Sequence, residues 1–109
     1  TVLPAETVLK MATIDGAKAL GLENSVGSLE VGKEADLILV DFKKPHLTPM
    51  HDPYANIVYS AHGSDVDTVI VNGKILMENR KVKTLDEDVV MRDAEKAAFN
   101  LLARASMLR

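Results

Sequence analysis

Residues 62–65 read His-Gly-Ser-Asp, setting a histidine and an aspartate three positions apart, a spacing at which both side chains could reach one metal ion. Two ligands do not make a metal site, and turn chemistry explains the same letters. Gly63 and Ser64 would form a corner, with the Asp65 carboxylate accepting from turn amides. His46 and His51 are five apart in a proline-rich stretch, matching neither alternate positions on a strand nor i, i+4 on a helix. They are expected to be solvated or packed into the loop. Asp36 and Asp41 bracket Leu37-Ile38-Leu39-Val40 and, five apart on a strand, point to opposite faces, which is poor geometry for an acid–base pair.

Other catalytic arrangements fit less well. There is no cysteine nucleophile, and Ser25, Ser28, Ser60, Ser64 and Ser106 stand in no nucleophile-elbow context. The glycines form no phosphate-cradling loop ahead of a helix. Asp86-Glu87-Asp88 opens a long helical pattern, where the helix dipole favours negative charge. Met50, Met77, Met91 and Met107 read as core or surface fillers. The chain alone is therefore expected to hold no catalytic, cofactor-binding or metal residues.

The elements that would position these groups fall into three blocks. Pro4 suits a helix start, and Val8, Leu9 and Ala12 give a helical face that breaks near Thr13. Thr13 or Asp15 can cap a second short helix carrying Ala17, Ala19 and Leu20, with Gly21 as its left-handed C-terminal residue. The middle block is β: Val26 to Leu29, a turn at Glu30-Val31-Gly32-Lys33, and a strand through Val40. A loop marked by Pro45, Pro49 and Pro53 follows, and Tyr54 to Ala61 adds one or two helical turns. Val69-Ile70-Val71-Asn72-Gly73-Lys74-Ile75-Leu76 is a hairpin, because both residues of its Asn-Gly turn accept positive φ. A weaker reversal at Asn79-Arg80 leads to Val82, arginine being an unnatural left-handed residue. In the last block Thr84-x-x-Glu87 reads as a capping box, and Val90, Ala94, Ala97, Leu101, Ala105 and Leu108 form a helical stripe.

Composition bounds the partners. At 109 residues and 47% hydrophobic content the chain has the size of one globular domain. Thirteen basic and sixteen acidic residues are interspersed, for a net charge of −3, so no basic stripe is available to nucleic acid. No apolar run approaches the ~18 residues of a membrane span, and no leader-like segment opens the chain. With the lack of cysteine this favours a cytoplasmic setting. Thr1 in place of a methionine fits a fragment of a longer protein.

Four stretches in order, MATIDGAKALGL at 11–22, VGSLEVGKEADLILVD at 26–41, DPYANIVYSAHGSDVDTVIVNGKILMENRKV at 52–82 and TLDEDVV at 84–90, resemble the C-terminal part of the amidohydrolase superfamily. The resemblance is to its cytosine-deaminase-like and chlorohydrolase-like branch, and within that to 5-methylthioadenosine/S-adenosylhomocysteine deaminases. It implies an α+β chain: terminal helices of a (β/α)8 barrel at 1–22, C-terminal strands of a composite β-sandwich at 23–83, and a C-terminal helix at 84–109. Members carry their metal ligands on barrel segments: a His-x-His pair, two further histidines and an aspartate. None of those segments is in this chain, and His62 and Asp65 match no ligand position of the family. For the parent, the resemblance implies zinc or iron and hydrolytic release of ammonia from a purine-like ring. It also implies partners for this chain in the N-terminal barrel and sandwich strands of the same protein, with self-association through exposed edges where these are missing. A guanine deaminase or triazine chlorohydrolase would look much the same here. A free-standing interaction module that reuses the sandwich half is the alternative from another class.

Overall fold

A computed structural model describes residues 3–107 of the chain. Helices α1 (Ala5–Ala12) and α2 (Ile14–Ala19) are separated at Thr13, whose φ of −120° and ψ of −100° break the helical path. Neither Thr13 nor Asp15 caps α2 as the sequence suggests. The Thr13 hydroxyl instead donates back to the carbonyl oxygens of Leu9 (2.8 Å) and Lys10 (3.3 Å), closing off α1. At the far end Gly21 adopts φ +73°, its amide bonds the Lys18 carbonyl, and the Leu22 amide bonds that of Ala17. This is the paired bonding of a glycine C-terminal stop.

Strand β1 (Leu37–Val40) opens a four-stranded antiparallel sheet of order β1-β2-β3-β4, with β2 at Val66–Val71, β3 at Lys74–Glu78 and β4 at Lys81–Val82. The Asn-Gly hairpin forms as the sequence indicates: Asn72 and Gly73 have φ of 51° and 76°, and Val71 faces Lys74. The Asn79-Arg80 reversal takes the same shape, with φ of 51° and 66°. Arginine tolerates that conformation here because its guanidinium donates to the carbonyl oxygens of Val66 (2.8 Å) and Gly63 (3.3 Å), offsetting local strain. Residues 26–29 are not a strand, contrary to the sequence reading. Gly27 turns the chain at φ +98° and lies so close to α2 that a Cβ there would meet the Ala17 Cβ at 2.8 Å. The Glu30–Lys33 turn is present, with Gly32 at φ +93° and a bond from the Lys33 amide to the Glu30 carbonyl.

Between β1 and β2 the proline-rich stretch holds a 3-10 turn (Pro45–Leu47), helix α3 (Pro53–Ala55) capped by the Asp52 carboxylate, and a π turn (Asn56–Ser60). The interior is small. Among the described residues Leu47 and Ala17 are the buried apolar ones, while Ile38 and Leu39, on opposite faces of β1, are each about half exposed. Both faces of the sheet thus present uncovered apolar surface.

Helix α4 (Glu87–Met107) begins two residues later than the capping box would place it. The Asp86 carboxylate takes the N-cap, accepting from the amides of Asp88 (3.0 Å) and Val89 (3.3 Å), in keeping with the stronger capping preference of aspartate over threonine. Residues 83–106 are all exposed, and Leu108, the last residue of the expected stripe, lies outside the described residues. Projection of this helix gives the chain a radius of gyration of 19.7 Å, against about 13 Å for a compact domain of this length. Among the described residues no helix is long and apolar enough to cross a membrane.

Candidate functional site

Two features carry the functional information: a polar cluster at the root of β2 and an apolar groove beside β1. The cluster is built by the 3-10 turn Gly63–Asp65, which leads into β2 and turns the Asp65 side chain inward, leaving it 2% exposed. One carboxylate oxygen accepts from His46 Nε2 at 2.7 Å and from the His62 amide at 2.8 Å. The His46 and His62 rings lie 5.1 Å apart. The expected role of Asp65, satisfying turn amides, is therefore half of what it does; the other half is to tie the proline-rich loop to the sheet.

This arrangement limits the chemistry. His62 and Asp65 meet through the histidine's backbone, so they do not present two side chains to a common ion. An aspartate–histidine pair is part of a nucleophilic triad, yet among the described hydrogen bonds no serine or threonine hydroxyl joins it. Ser28, for instance, is spent on Glu30 and Lys33, pinning the turn ahead of β1. His51 stands apart and exposed. Asp36 and Asp41 also serve locally, accepting from the Asn72 amide (2.7 Å) and the Lys43 amide (2.9 Å). Met50 and Met91 are exposed, and Met77 is half-buried in β3. Among the described residues no group of three or more His, Cys, Asp or Glu side chains is arranged to hold a metal ion.

The pairing of His46 with Asp65 could not be read from spacing, since nineteen residues separate them. A single signal pointed that way: an aspartate immediately before a β run, where a carboxylate is costly to bury without donors. The hydrogen bond from His46, then that from the His62 amide, hold the Asp65 carboxyl below the usual carboxylate range, with burial opposing them. A folded-state value depressed in this way contributes stability that is present above the unfolded value of about 3.9 and is lost as pH falls through the lower folded value. Asp65→Asn should therefore flatten the acid limb of the stability profile below about pH 4. Thermal melts of both proteins across the acid range test this, and parallel profiles would contradict it.

The groove, about 710 Å³ in volume, runs between α2 and the edge of the sheet, with Leu20, Leu22, Leu29, Ile38, Val69 and Val71 among its walls. Its lining is largely apolar, and Leu20 is 76% exposed. Such a surface suits packing against protein better than holding a polar ligand.

Residues 1–76 match the Amidohydrolase family. The chain is 60% identical over 96 residues to a 5-methylthioadenosine/S-adenosylhomocysteine deaminase of Moorella thermoacetica, covering 88% of this chain and 22% of that protein. It is 58% identical over 106 residues to a 5′-deoxyadenosine deaminase of Methanosarcina barkeri, covering 97% and 24%. Among solved structures, an adenosine deaminase from Xanthomonas campestris with bound zinc superposes with a TM-score of 0.79 at 32% identity, over 92% of this chain and 23% of that one. An atrazine chlorohydrolase from Arthrobacter aurescens complexed with zinc gives 0.73 at 28% identity, over 86% and 20%. The chain spans less than a quarter of the length of these relatives.

Proposed function

This chain belongs to the amidohydrolase family, and we propose that it is the C-terminal structural part of a metal-dependent aminohydrolase acting on an adenosine-type substrate. In this reading residues 1–22 are the last helices of a (β/α)8 barrel, 23–83 supply the C-terminal strands of a composite sandwich, and 84–109 form a terminal helix. The observation that carries it is the uncovered apolar surface on both faces of β1, where Ile38 lines the groove against α2 and Leu39 is exposed on the other face. A sheet with two apolar faces needs partners on both, and N-terminal strands and a barrel of the same protein would provide them. A free-standing module would be expected to keep one face polar.

The substrate class rests on the relatives whose names specify 5-methylthioadenosine, S-adenosylhomocysteine or 5′-deoxyadenosine. All three present an adenine ring with an exocyclic amine, so hydrolysis would release ammonia. An ammonia assay of the complete reading frame with each compound tests the reading; failure on all three, with turnover of guanine or a chlorotriazine, would redirect it within the family. Zinc in the similar structures supports a metal in the parent, with iron as the other candidate. The described side chains of this chain do not form a fitting donor set. Tag-free protein is accordingly expected to bind no stoichiometric zinc or iron. About one metal per chain by elemental analysis would overturn that expectation.

A further inference from the structure

Helix α4 is the longest element, and its exposed residues are not those of a solvated rod. Val90, Ala94, Ala97, Leu101 and Ala105 follow one another at steps of three or four, making one apolar stripe along the helix. Leu101 in that stripe is 66% exposed. Asp93 and Arg104 are eleven residues apart, about three turns, so they lie within ~20° of each other on one edge of the stripe. Among the described residues neither takes part in an ion pair.

Charge is divided along the same axis. Asp86, Glu87, Asp88, Asp93 and Glu95 against Arg92 make the first half acidic; from residue 96 to 107 the charged side chains are Lys96 and Arg104. Two such helices laid parallel would set the acidic halves side by side, whereas an antiparallel pair brings the acidic half of one helix to Arg104 of the other. We infer that α4 is an interaction surface for a second copy of this chain, the two helices pairing antiparallel through the stripe about a twofold axis next to Ala98. With the axis there, each Asp93 lies beside the partner's Arg104, so one ion pair occurs twice in a self-complementary interface. The alanines at 94, 97 and 105 let the helices approach closely, and Leu101 packs over the partner's Ala97. This pairing does not rest on the deaminase reading, and it leaves β1 and the groove free.

The 109-residue chain has no cysteine, which makes the test direct. Sedimentation equilibrium should show a dimer. Arg104→Glu, which turns two attractions into two repulsions, should weaken it about tenfold, and adding Asp93→Arg should restore it. Oxidation should cross-link Ala98→Cys but not Val90→Cys, because residues 90 of an antiparallel pair sit about 25 Å apart. All these positions are exposed, so circular dichroism should report unchanged folding. A monomer throughout the concentration series would overturn the inference, as would a dimer indifferent to Arg104→Glu. Cross-linking at Val90→Cys would also do so, showing parallel helices, and a dimer cross-linked at neither position would place the contact at the sheet edge instead.

Discussion

Purified alone, the chain is expected to release no ammonia from 5-methylthioadenosine, S-adenosylhomocysteine or 5′-deoxyadenosine; supplied with the remaining part of its own reading frame, it should restore metal-dependent turnover. The expected contrast is large because enzymes of ordinary proficiency accelerate their reactions by about 10⁶-fold or more, and the described residues of this chain form no metal donor set that could support such acceleration. Restoration in trans depends on docking, for which the groove is the surface the proposed function calls for. Ile38 lines it, lies on β1 and is 52% exposed, so Ile38→Asp should leave the isolated chain folded while placing a carboxylate in the contact. Desolvating an unpaired charge at such an interface is costly, so the variant should lower restored activity at least tenfold. Turnover by the chain alone would refute the structural reading. Full restoration by Ile38→Asp would leave the division of labour standing but move the docking surface away from the groove.

The sheet was legible in the sequence because its signals are local. Asn72-Gly73 specifies a two-residue turn, Gly32 the reversal before β1, and Gly21 the end of α2, each through a backbone conformation that few residues accept. The errors arose where two local signals compete or where a distant neighbour decides. Thr84 and Asp86 both qualify as caps, and the better acceptor won. The stretch 26–29 reads as a short β segment ahead of a turn, but Gly27 is needed for close approach to Ala17, a tertiary demand with no local signature. The His46–Asp65 bond joins residues that only the fold brings together. The stripe on α4 predicts a face to be covered, without naming the cover.

Among single substitutions remote from any partner surface, Gly73→Val should be one of the most costly to stability, on the order of 1–3 kcal/mol. Nothing lies within 4 Å of a Cβ built at Gly73, so no steric clash is involved; the cost is backbone strain at φ +76°. A β-branched side chain is the least tolerant of that region. The turn cannot relax cheaply either, because it is held by the residues just ahead of β1 as well as by its own strands. The Asn72 amide donates to the Asp36 carboxylate at 2.7 Å, and the Gly73 amide donates to the Ala35 carbonyl at 3.0 Å. Relieving the strain would pull both bonds apart and disturb the pairing of Val71 with Lys74 and of Leu37 with Ile70. Strain and space make opposite predictions for a control. If strain governs, Gly73→Asn should be far milder than Gly73→Val, since asparagine tolerates positive φ despite its larger bulk than alanine. Gly73→Ala should fall between them. Equal losses for asparagine and valine in urea or thermal unfolding would show that bulk, not φ, sets the cost, and an unchanged midpoint for valine would mean the two-residue turn does not hold the register of the sheet.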